Sequence, residues 1–227
     1  MAALLLLETT TEVCSIGIAR NGQVLALEES KEPNQHSTQI TLLIEKAAAT
    51  AAIKLSDIAA IALSAGPGSY TALRVGAATA KGICYALDKP LIAVDTLAAL
   101  ASATWKQLNR EALYFPMIDA RRMEVYTAGF LNGQERLSNP EAMVITPESF
   151  SAWTQAGHHI VLSGNGAAKC KMALNSDCFT FSPLVCSALH LISWAEKAWE
   201  EQAFEDVAYF NPFYLKPPNI TKSKKLL

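Results

Sequence analysis

The feature that most restricts the fold is a repeat, because the two halves of the chain carry the same features in the same order. Glu8 lies 13 residues before Asn21, and Asp119 lies 13 residues before Asn132. Both features are therefore displaced by 111 residues. The segment IALSAG at 61–66 is matched by IVLSG at 160–164. Two matches in the same order predict a duplicated structural unit.

Each half is predicted to be an α/β unit. The dipeptides Asn21-Gly22 and Asn132-Gly133 favour two-residue hairpin turns, because both residues tolerate positive φ. Apolar spacing in the first half predicts strands at 3–8, 13–19, 23–28, 58–64 and 90–94, with helices at 37–53, 69–87 and 95–105. The second half predicts strands at 113–119, 124–131 and 159–163, and helices near 147–155, through Ala173 and at 188–203.

The pattern is typical of an actin-like ATPase fold, which has two tandem β-β-β-α-β-α units whose first strands end in an acid. This is the architecture of sugar kinases and Hsp70-like proteins. We therefore predict an α/β chain of two duplicated ribonuclease-H-like domains, at 1–104 and 105–227. Glu8 and Asp119 are expected to face the cleft between the domains. A single three-layer α/β domain with a coincidental repeat is the alternative.

Composition excludes several other classes of protein. The 227 residues are 51% apolar with a net charge of −2, which excludes disorder and argues against a chain that holds a polyanion alone. The apolar run Ala2–Leu7 is too short for a membrane span and lacks the flanks of a signal peptide, so we expect a strand and no membrane contact. Five scattered cysteines without C-x-x-C predict a reducing, cytoplasmic location.

The segment from Ser64 to Gly76 has the features of a strand-turn-helix motif. The sequence Gly66-Pro67-Gly68 predicts a tight turn, after which Ser69 can cap the next helix. Such a turn can hold a phosphate, but this one lacks the P-loop lysine and does not fit G-x-G-x-x-G. A purely structural turn is the alternative.

A vestigial nucleotide cleft is predicted from this turn and the two acid-tipped strands. Glu8 and Asp119 could act as paired carboxylates for Mg²⁺, as in kinases of this architecture. Asp119 is followed by Ala-Arg-Arg instead of glycines, so the second phosphate loop is predicted to be degraded. The predicted cleft residues are Glu8, Gly66, Gly68, Ser69 and Asp119.

The helix at 69–87 is apolar on two opposite faces, which predicts burial on both sides. One face is expected to contact the sheet: Val75, Thr79, Gly82, Ile83 and Ala86. The other is expected to point outward: Leu73, Gly76, Ala77, Ala80 and Cys84. Small residues on the outward face would let another helix approach closely. That helix could belong to another protein, or the helix at 37–53 could cover the whole face.

The histidines and serines do not form a hydrolytic or metal site in the sequence. There is no H-E-x-x-H, and His36 is followed one turn later by Ile40 instead of a second histidine. Ser69 lies in G-P-G-S and not in the nucleophile elbow G-x-S-x-G. We therefore predict neither catalytic residues nor a metal site in this chain.

The motifs taken together resemble the TsaB (YeaZ) family over essentially the whole chain. They are Gly66-Pro-Gly-Ser-Tyr-Thr-Ala-Leu-Arg-Val-Gly76, Glu8-Thr-Thr-Thr11, Gln35-His-Ser37, Ile118-Asp-Ala-Arg121 and Tyr214-Leu-Lys216. Glu8 stands where the family usually has Asp, Tyr70 where it usually has Phe, and Ala72 where Gly is common.

The resemblance implies a non-catalytic scaffold subunit. TsaB proteins act with TsaD and the ATPase TsaE, which together transfer threonylcarbamoyl from threonylcarbamoyl-AMP to N6 of adenosine 37 in tRNAs that read codons beginning with A. The resemblance implies no cofactor for this chain; TsaE and TsaD supply ATP and a divalent metal, and tRNA is bound only by the complex.

The partner surface is predicted on the two long helices. His36, Gln39 and Leu43 of the first helix and the outward face of the second are expected to pack against the equivalent helices of TsaD, or against a second copy when TsaD is absent. A nucleotide-binding kinase or ATPase that uses Glu8 and Asp119 is the alternative function, and a peptidase is another. The lysines at 222, 224 and 225 could contact RNA.

Overall fold

Two β-sheets, one from each half of the chain, form the framework of the protein. The computed structural model describes residues 2–30, 32 and 35–217. The lysine-rich tail at 220–227 lies outside the described residues.

The first sheet has five strands in the order β3-β2-β1-β4-β5. They are β1 (Ala3–Glu8), β2 (Cys14–Arg20), β3 (Gln23–Ser30), β4 (Ala60–Gly66) and β5 (Leu91–Asp95). The first three are antiparallel, whereas β4 runs parallel to β1 and to β5. Every residue of β1 is buried, as expected for a central strand covered on both faces. Three helices follow in this half: α1 (His36–Thr50), α2 (Tyr70–Leu87) and α3 (Thr96–Leu108).

The second sheet has seven strands and repeats the arrangement around a central β6. The strands are β6 (Leu113–Asp119), β7 (Glu124–Thr127), β8 (Phe130–Leu131), β9 (Glu135–Arg136), β10 (Glu141–Val144), β11 (Ile160–Ser163) and β12 (Phe179–Phe181). The helices are α4 (Ser151–Gln155), α5 (Ala167–Cys170) and α6 (Ile192–Glu200). The predicted single strand at 124–131 is wrong, because β7 pairs with β10 whereas β8 pairs with β9. Strands β9, β10 and β12 were not predicted.

The duplication predicted from the sequence is confirmed. Both β1 and β6 are central, with an antiparallel neighbour on one side and a parallel neighbour on the other. Gly66 is the last residue of β4 and Gly164 directly follows β11, and both have left-handed φ, of 113° and 95°. The actin-like α/β architecture is therefore present.

The two halves are linked by α3 and by the C-terminal segment. Leu97 and Leu100 of α3 pack with Tyr114 and Ile118 of the second sheet, whereas Ala99 packs on the first sheet. The turn at 188–191 and α6 return to β1, where they bury Leu4 and Leu6. The predicted boundary between 104 and 105 therefore falls inside α3, and the domain limits stay a prediction. Within the described residues, no helix is both long and apolar enough to cross a bilayer.

The face of helix α2 that was predicted to point outward instead packs on the sheet. That prediction is therefore wrong. Five residues of that face are buried: Leu73, Gly76, Ala77, Ala80 and Cys84. The face that was predicted to contact the sheet is partly or fully exposed: Val75, Thr79, Gly82, Ile83 and Ala86. The small residues let α2 approach its own sheet instead of a partner helix. A Cβ built on Gly76 would lie 2.2 Å from Thr9 Oγ1.

Helix α1 agrees with the prediction on its inner face and differs at its edge. Ile40, Ile44 and Ala47 are buried in the core as expected. Of the three residues assigned to the partner surface, Leu43 and His36 are also buried, at 8% and 7% exposure. Gln39 is half-buried. Most of the α1 surface that was predicted to bind a partner is therefore buried in the core.

Candidate functional cleft

Two adjoining cavities of about 280 and 290 Å³ lie at the carboxyl ends of the central strands, between the two sheets. Ser69, Thr71, Asp119 and Arg121 line both cavities. Of the five residues predicted to line the cleft, Gly68, Ser69 and Asp119 do so. The other two, Glu8 and Gly66, line neither cavity.

Glu8 is closed off from the cleft by the loop that follows it. Its side chain is 1% exposed, and Oε1 accepts hydrogen bonds from the Thr10 backbone N–H at 2.7 Å and from the Thr10 hydroxyl. Burial raises the pKa of this carboxyl above its ordinary value of 4.5, although the bonds to Thr10 oppose the rise. Glu8 and Asp119 therefore do not meet as paired carboxylates in one cavity.

The glycine turn before α2 packs against the same loop. The backbone N–H of Ser69 donates to the Thr10 carbonyl at 2.8 Å, and a Cβ on Gly68 would lie 2.6 Å from that oxygen. The N–H at the N-cap of α2 is thus already bonded and is not free to bind a phosphate. Ser69 is at the predicted N-cap, but its hydroxyl does not cap the helix. Among the described residues, no hydrogen bond joins this hydroxyl to a histidine.

Gly66 lies behind the cleft, under the C-terminal segment. A Cβ at this left-handed residue would lie 2.6 Å from the Phe213 carbonyl oxygen. The Phe213 N–H donates to the Ala65 carbonyl at 2.7 Å, so residues near 213 pass directly over the turn. Gly66 is therefore needed for close packing of the chain, and its position explains why it lines neither cavity.

Asp119 is the acid that does face the cleft. Its carboxylate accepts the Arg121 backbone N–H at 2.8 Å and pairs with Lys169, while its own N–H donates to Asn165 Oδ1 at 3.0 Å. The turn after it places Arg121 and Arg122 in the left-handed region, with φ of 72° and 51°. A phosphate loop would have glycines here, so the geometry fits the predicted degradation of this loop.

His36 lines the second cavity instead of the outer surface. It is 7% exposed, and burial lowers the pKa of its imidazole. Nε2 has no hydrogen-bond partner among the described residues. Within 2–30, 32 and 35–217, no group of three or more histidine, cysteine or acidic side chains is arranged to hold a metal ion.

Several cleft residues were not assigned a role from the sequence. Tyr214 and Lys216 were part of a quoted motif, and they line the first cavity together with Tyr70 and Tyr126. Thr10 was also in a quoted motif, but its contacts with Glu8 and Ser69 require the folded chain. No pattern in the sequence pointed to Lys169 or to Asn165.

This fold and cleft define an actin-like α/β protein in which the first acid is buried and the first glycine turn is bonded to its own chain. A family model described as TsaD, tRNA N6-adenosine threonylcarbamoyltransferase, matches residues 28–226. The chain therefore belongs to the TsaD family, and the relatives that it matches include proteins named TsaB and YeaZ, which confirms the resemblance.

Two of these relatives are the tRNA threonylcarbamoyladenosine biosynthesis proteins TsaB of Escherichia coli and Haemophilus influenzae. The first is 33% identical over 64% of this chain and 63% of its own length, and the second 35% identical over 54% and 51%. The chain thus spans about half to just under two thirds of these curated relatives.

Solved structures agree with the assignment. YeaZ from Pseudomonas aeruginosa superimposes with a TM-score of 0.81 at 26% identity, covering 95% of this chain and all of that one. Component A of (R)-2-hydroxyglutaryl-CoA dehydratase from Acidaminococcus fermentans has a TM-score of 0.54 at 10% identity, with 89% of this chain and 100% of that chain covered. The second match shows the shared fold alone.

Proposed function

We propose that this chain is the non-catalytic scaffold subunit of a complex with TsaD and TsaE. The complex transfers threonylcarbamoyl from threonylcarbamoyl-AMP to N6 of adenosine 37 in tRNAs that read codons beginning with A. TsaE and TsaD supply ATP and the divalent metal. The subunit works in the cytoplasm, pairs with TsaD, and forms a homodimer when TsaD is absent.

The burial of Glu8 carries the non-catalytic part of the proposal. A carboxylate that binds Mg²⁺ or moves a proton must reach its ligand, and Glu8 is bonded to Thr10 inside the first half. Asp119, which does face the cleft, pairs with Lys169. The same observation disfavours the kinase or ATPase alternative, because that chemistry needs both acids in one cavity.

An exposed groove between α1 and α2 supports pairing with TsaD. It has a volume of about 530 Å³ and contains mainly apolar side chains, with one acid and one lysine at its edge. Its lining is Thr41, Ile44, Glu45, Ala48, Ile53, Lys54, Leu55, Ala78, Thr79, Gly82 and Ile83. We propose that the partner binds this groove, because the face of α2 predicted from the sequence is buried. An apolar groove of this kind is typical of a site that takes a helix.

Gly82 is the residue of the groove best suited to a test. It is exposed, and a Cβ built on it meets no atom within 4 Å. Gly82→Arg should therefore leave the fold intact while placing a charged side chain where the partner helix must approach. We expect Gly82→Arg to abolish co-elution with TsaD on gel filtration, and Gly82→Ala to retain it.

Reconstitution tests the activity. Wild-type chain with its host's TsaD, TsaE, ATP, threonine, bicarbonate and the enzyme that forms threonylcarbamoyl-AMP should produce modified adenosine in tRNA, measured by mass spectrometry of nucleosides. We expect Gly82→Arg to reduce the product to the level seen without this chain. Product formation that does not depend on the wild-type chain would contradict the proposed function. A folded Gly82→Arg variant that still binds TsaD would contradict the surface alone.

A further inference from the structure

The N-termini of two helices lie in the wall of the second cleft cavity. Helix α1 lines this cavity with His36 and Ser37, and helix α2 lines it with Ser69, Thr71 and Ala72. Within the described part of the chain, neither helix has a side-chain hydrogen bond at its N-cap, and neither has an acid in its first turn. The positive ends of both helix dipoles are therefore left without a compensating group of the protein.

Backbone donors in both first turns also lack partners. The N–H groups at the start of a helix have no acceptor within that helix. Those of Ser37 in α1 and of Thr71 and Ala72 in α2 make no hydrogen bond to any other described residue. Because these three residues line the cavity, an anionic oxygen inside it would have donors from two helices.

His36 gives independent evidence that this cavity holds a ligand. The residue is 7% exposed and lines the cavity, yet Nε2 is buried without a hydrogen-bond partner among the described residues. Native proteins rarely leave a buried polar atom unpaired, because such an atom has lost its water and gained nothing in return. A polar group bound in the cavity would supply the missing partner.

The charged side chains of the cavity are balanced in sign. Glu12 and Arg121 both line it and are exposed, and neither forms an ion pair with a described residue. Asp119 accepts the Lys169 ammonium and the Arg121 N–H through Oδ1, whereas Oδ2 has no partner in the part of the chain that the structure describes. Two carboxylates in the wall would repel a polyphosphate. One anionic and one cationic group on the same ligand would satisfy both signs of charge.

The cavity is small and its remaining lining is mostly polar. Its volume of about 290 Å³ is at the lower end of the range for ligand pockets, about 300–1,000 Å³. Hydroxyl groups of Ser37, Ser69 and Thr71 and the amide of Asn165 line it together with the charged groups. The ligand should therefore be a small molecule whose uncharged part is also polar.

We propose that this cavity binds a small α-amino acid with a polar side chain. The carboxylate lies at the N-termini of α1 and α2 beside Arg121, and the ammonium group faces Glu12 and Asp119. The polar side chain of the ligand forms a hydrogen bond with His36 Nε2. This site goes beyond the proposed scaffold role and does not depend on it.

Calorimetric titration of the full chain with L-serine, L-threonine and L-asparagine tests the ligand class. We expect saturable binding of at least one of the three. For the one that binds most tightly, the carboxamide lacks the carboxylate and the 2-hydroxy acid lacks the ammonium group. Each analogue should bind about tenfold more weakly or worse, because each loses a charge-assisted hydrogen bond. No saturable binding of any of the three, equal affinity for the analogues, or tighter binding of AMP or inorganic phosphate would overturn the inference.

Matched variants test the two charged contacts. Arg121→Gln should weaken binding about tenfold, whereas Arg122→Gln should stay within about twofold of wild type. Arg122 is the next residue of the same turn, is also exposed, and does not line this cavity. Glu12→Gln should weaken binding similarly, with Glu148→Gln as its exposed control outside the cavity. Equal losses in a variant and its control would count against the site, and circular dichroism confirms that each variant is folded.

The backbone donors can be tested in the wild-type chain, so this measurement does not depend on the folding of any variant. In ¹H–¹⁵N correlation spectra, saturation with the amino acid that binds most tightly should shift the amide signals of Ser37, Thr71 and Ala72. Shifts confined to residues outside the cavity would overturn the inference.

Discussion

Thr9 and Thr10, the residues directly after β1, hold together the segments that surround the cleft. Thr10 bonds the Glu8 carboxylate through its N–H and hydroxyl, and its carbonyl accepts the N–H of Ser69. The Thr9 hydroxyl lies against the backbone of α2 at Gly76. These contacts hold the loop after β1 against the turn before α2 and against α2 itself.

The contact between Thr9 and α2 predicts opposite effects of alanine at two glycines of one helix. Gly76→Ala should destabilise the protein by about 1–3 kcal/mol, because its Cβ would lie 2.2 Å from Thr9 Oγ1 in a closely packed interior. Gly82→Ala should stabilise it by about 1 kcal/mol, because the site is open and alanine favours helix. Urea unfolding of both variants measures the difference. Equal effects would show that Gly76 is not held against Thr9.

The burial of Glu8 predicts a pH-dependent effect of its amide analogue. The folded-state pKa is raised, so the stability contributed by the protonated acid is present below pH 4.5 and is lost as pH rises through the folded value. Glu8→Gln should therefore increase the free energy of unfolding at pH 8 relative to wild type, and change it less at pH 4. Urea titrations at both pH values give the comparison. A variant less stable than wild type at pH 8 would indicate that the bonds from Thr10 outweigh burial.

At the scale of elements, helix α2 has two apolar faces, and only one of them packs on the first sheet. Both of its faces are apolar in the sequence, and the face with Gly76 and Ala80 is the one that packs on the first sheet. The larger Ile83 and Val75 remain at the partly exposed side. The groove that results lies between α1 and α2, where we place the partner.

The orientation of α2 predicts which arginine substitutions unfold the protein. Ala80 is 0% exposed, so Ala80→Arg buries a charge and overfills the core, and it should cost about 4 kcal/mol or more. Ala78→Arg, two residues away on the exposed side, should change stability by less than about 0.5 kcal/mol. Circular dichroism during thermal unfolding separates the two. A stable Ala80→Arg monomer would contradict the orientation of the helix.

At the scale of the whole molecule, the chain after the second sheet returns to the first. Ala188, Leu191 and Ala195 pack on Leu4 and Leu6, and Ala188 N–H donates to Ser15 Oγ at 2.9 Å. His190 lies in this returning turn, and burial lowers its pKa to about 4, although Glu29 opposes the shift. The two halves are therefore joined by the packing of α3 and of the returning segment.

His190 predicts a loss of stability in mild acid. Its ordinary pKa is 6.5, so between pH 6.5 and 4 the unfolded chain takes up a proton that the folded chain does not. From pH 7 to pH 5, we expect wild type to lose about 1–2 kcal/mol more unfolding free energy than His190→Gln. Urea unfolding of both proteins at the two pH values checks this. Parallel losses would show that other groups, such as His36, account for the acid sensitivity.

The sequence by itself determined the duplication, the hairpins and the strand-turn-helix motif. These features depend on spacing between near neighbours, such as Asn21-Gly22 after β2, and on the equal displacement of Glu8 and Asp119. The family resemblance also came from contiguous motifs. Local patterns of this kind can be recognised without knowing which segments meet in the folded chain.

Only the tertiary structure decided which face of α2 is buried and which side chains reach the cleft. A helix with two apolar faces contains no local information on which one meets the sheet; the closeness of Gly76 to Thr9 decides it. Glu8 and Asp119 end equivalent strands, yet Thr10 closes off one and Lys169 pairs with the other. Arg121 lies far along the chain from Tyr214 and Lys216, and it becomes their neighbour because the C-terminal segment folds back over the turn that ends β4.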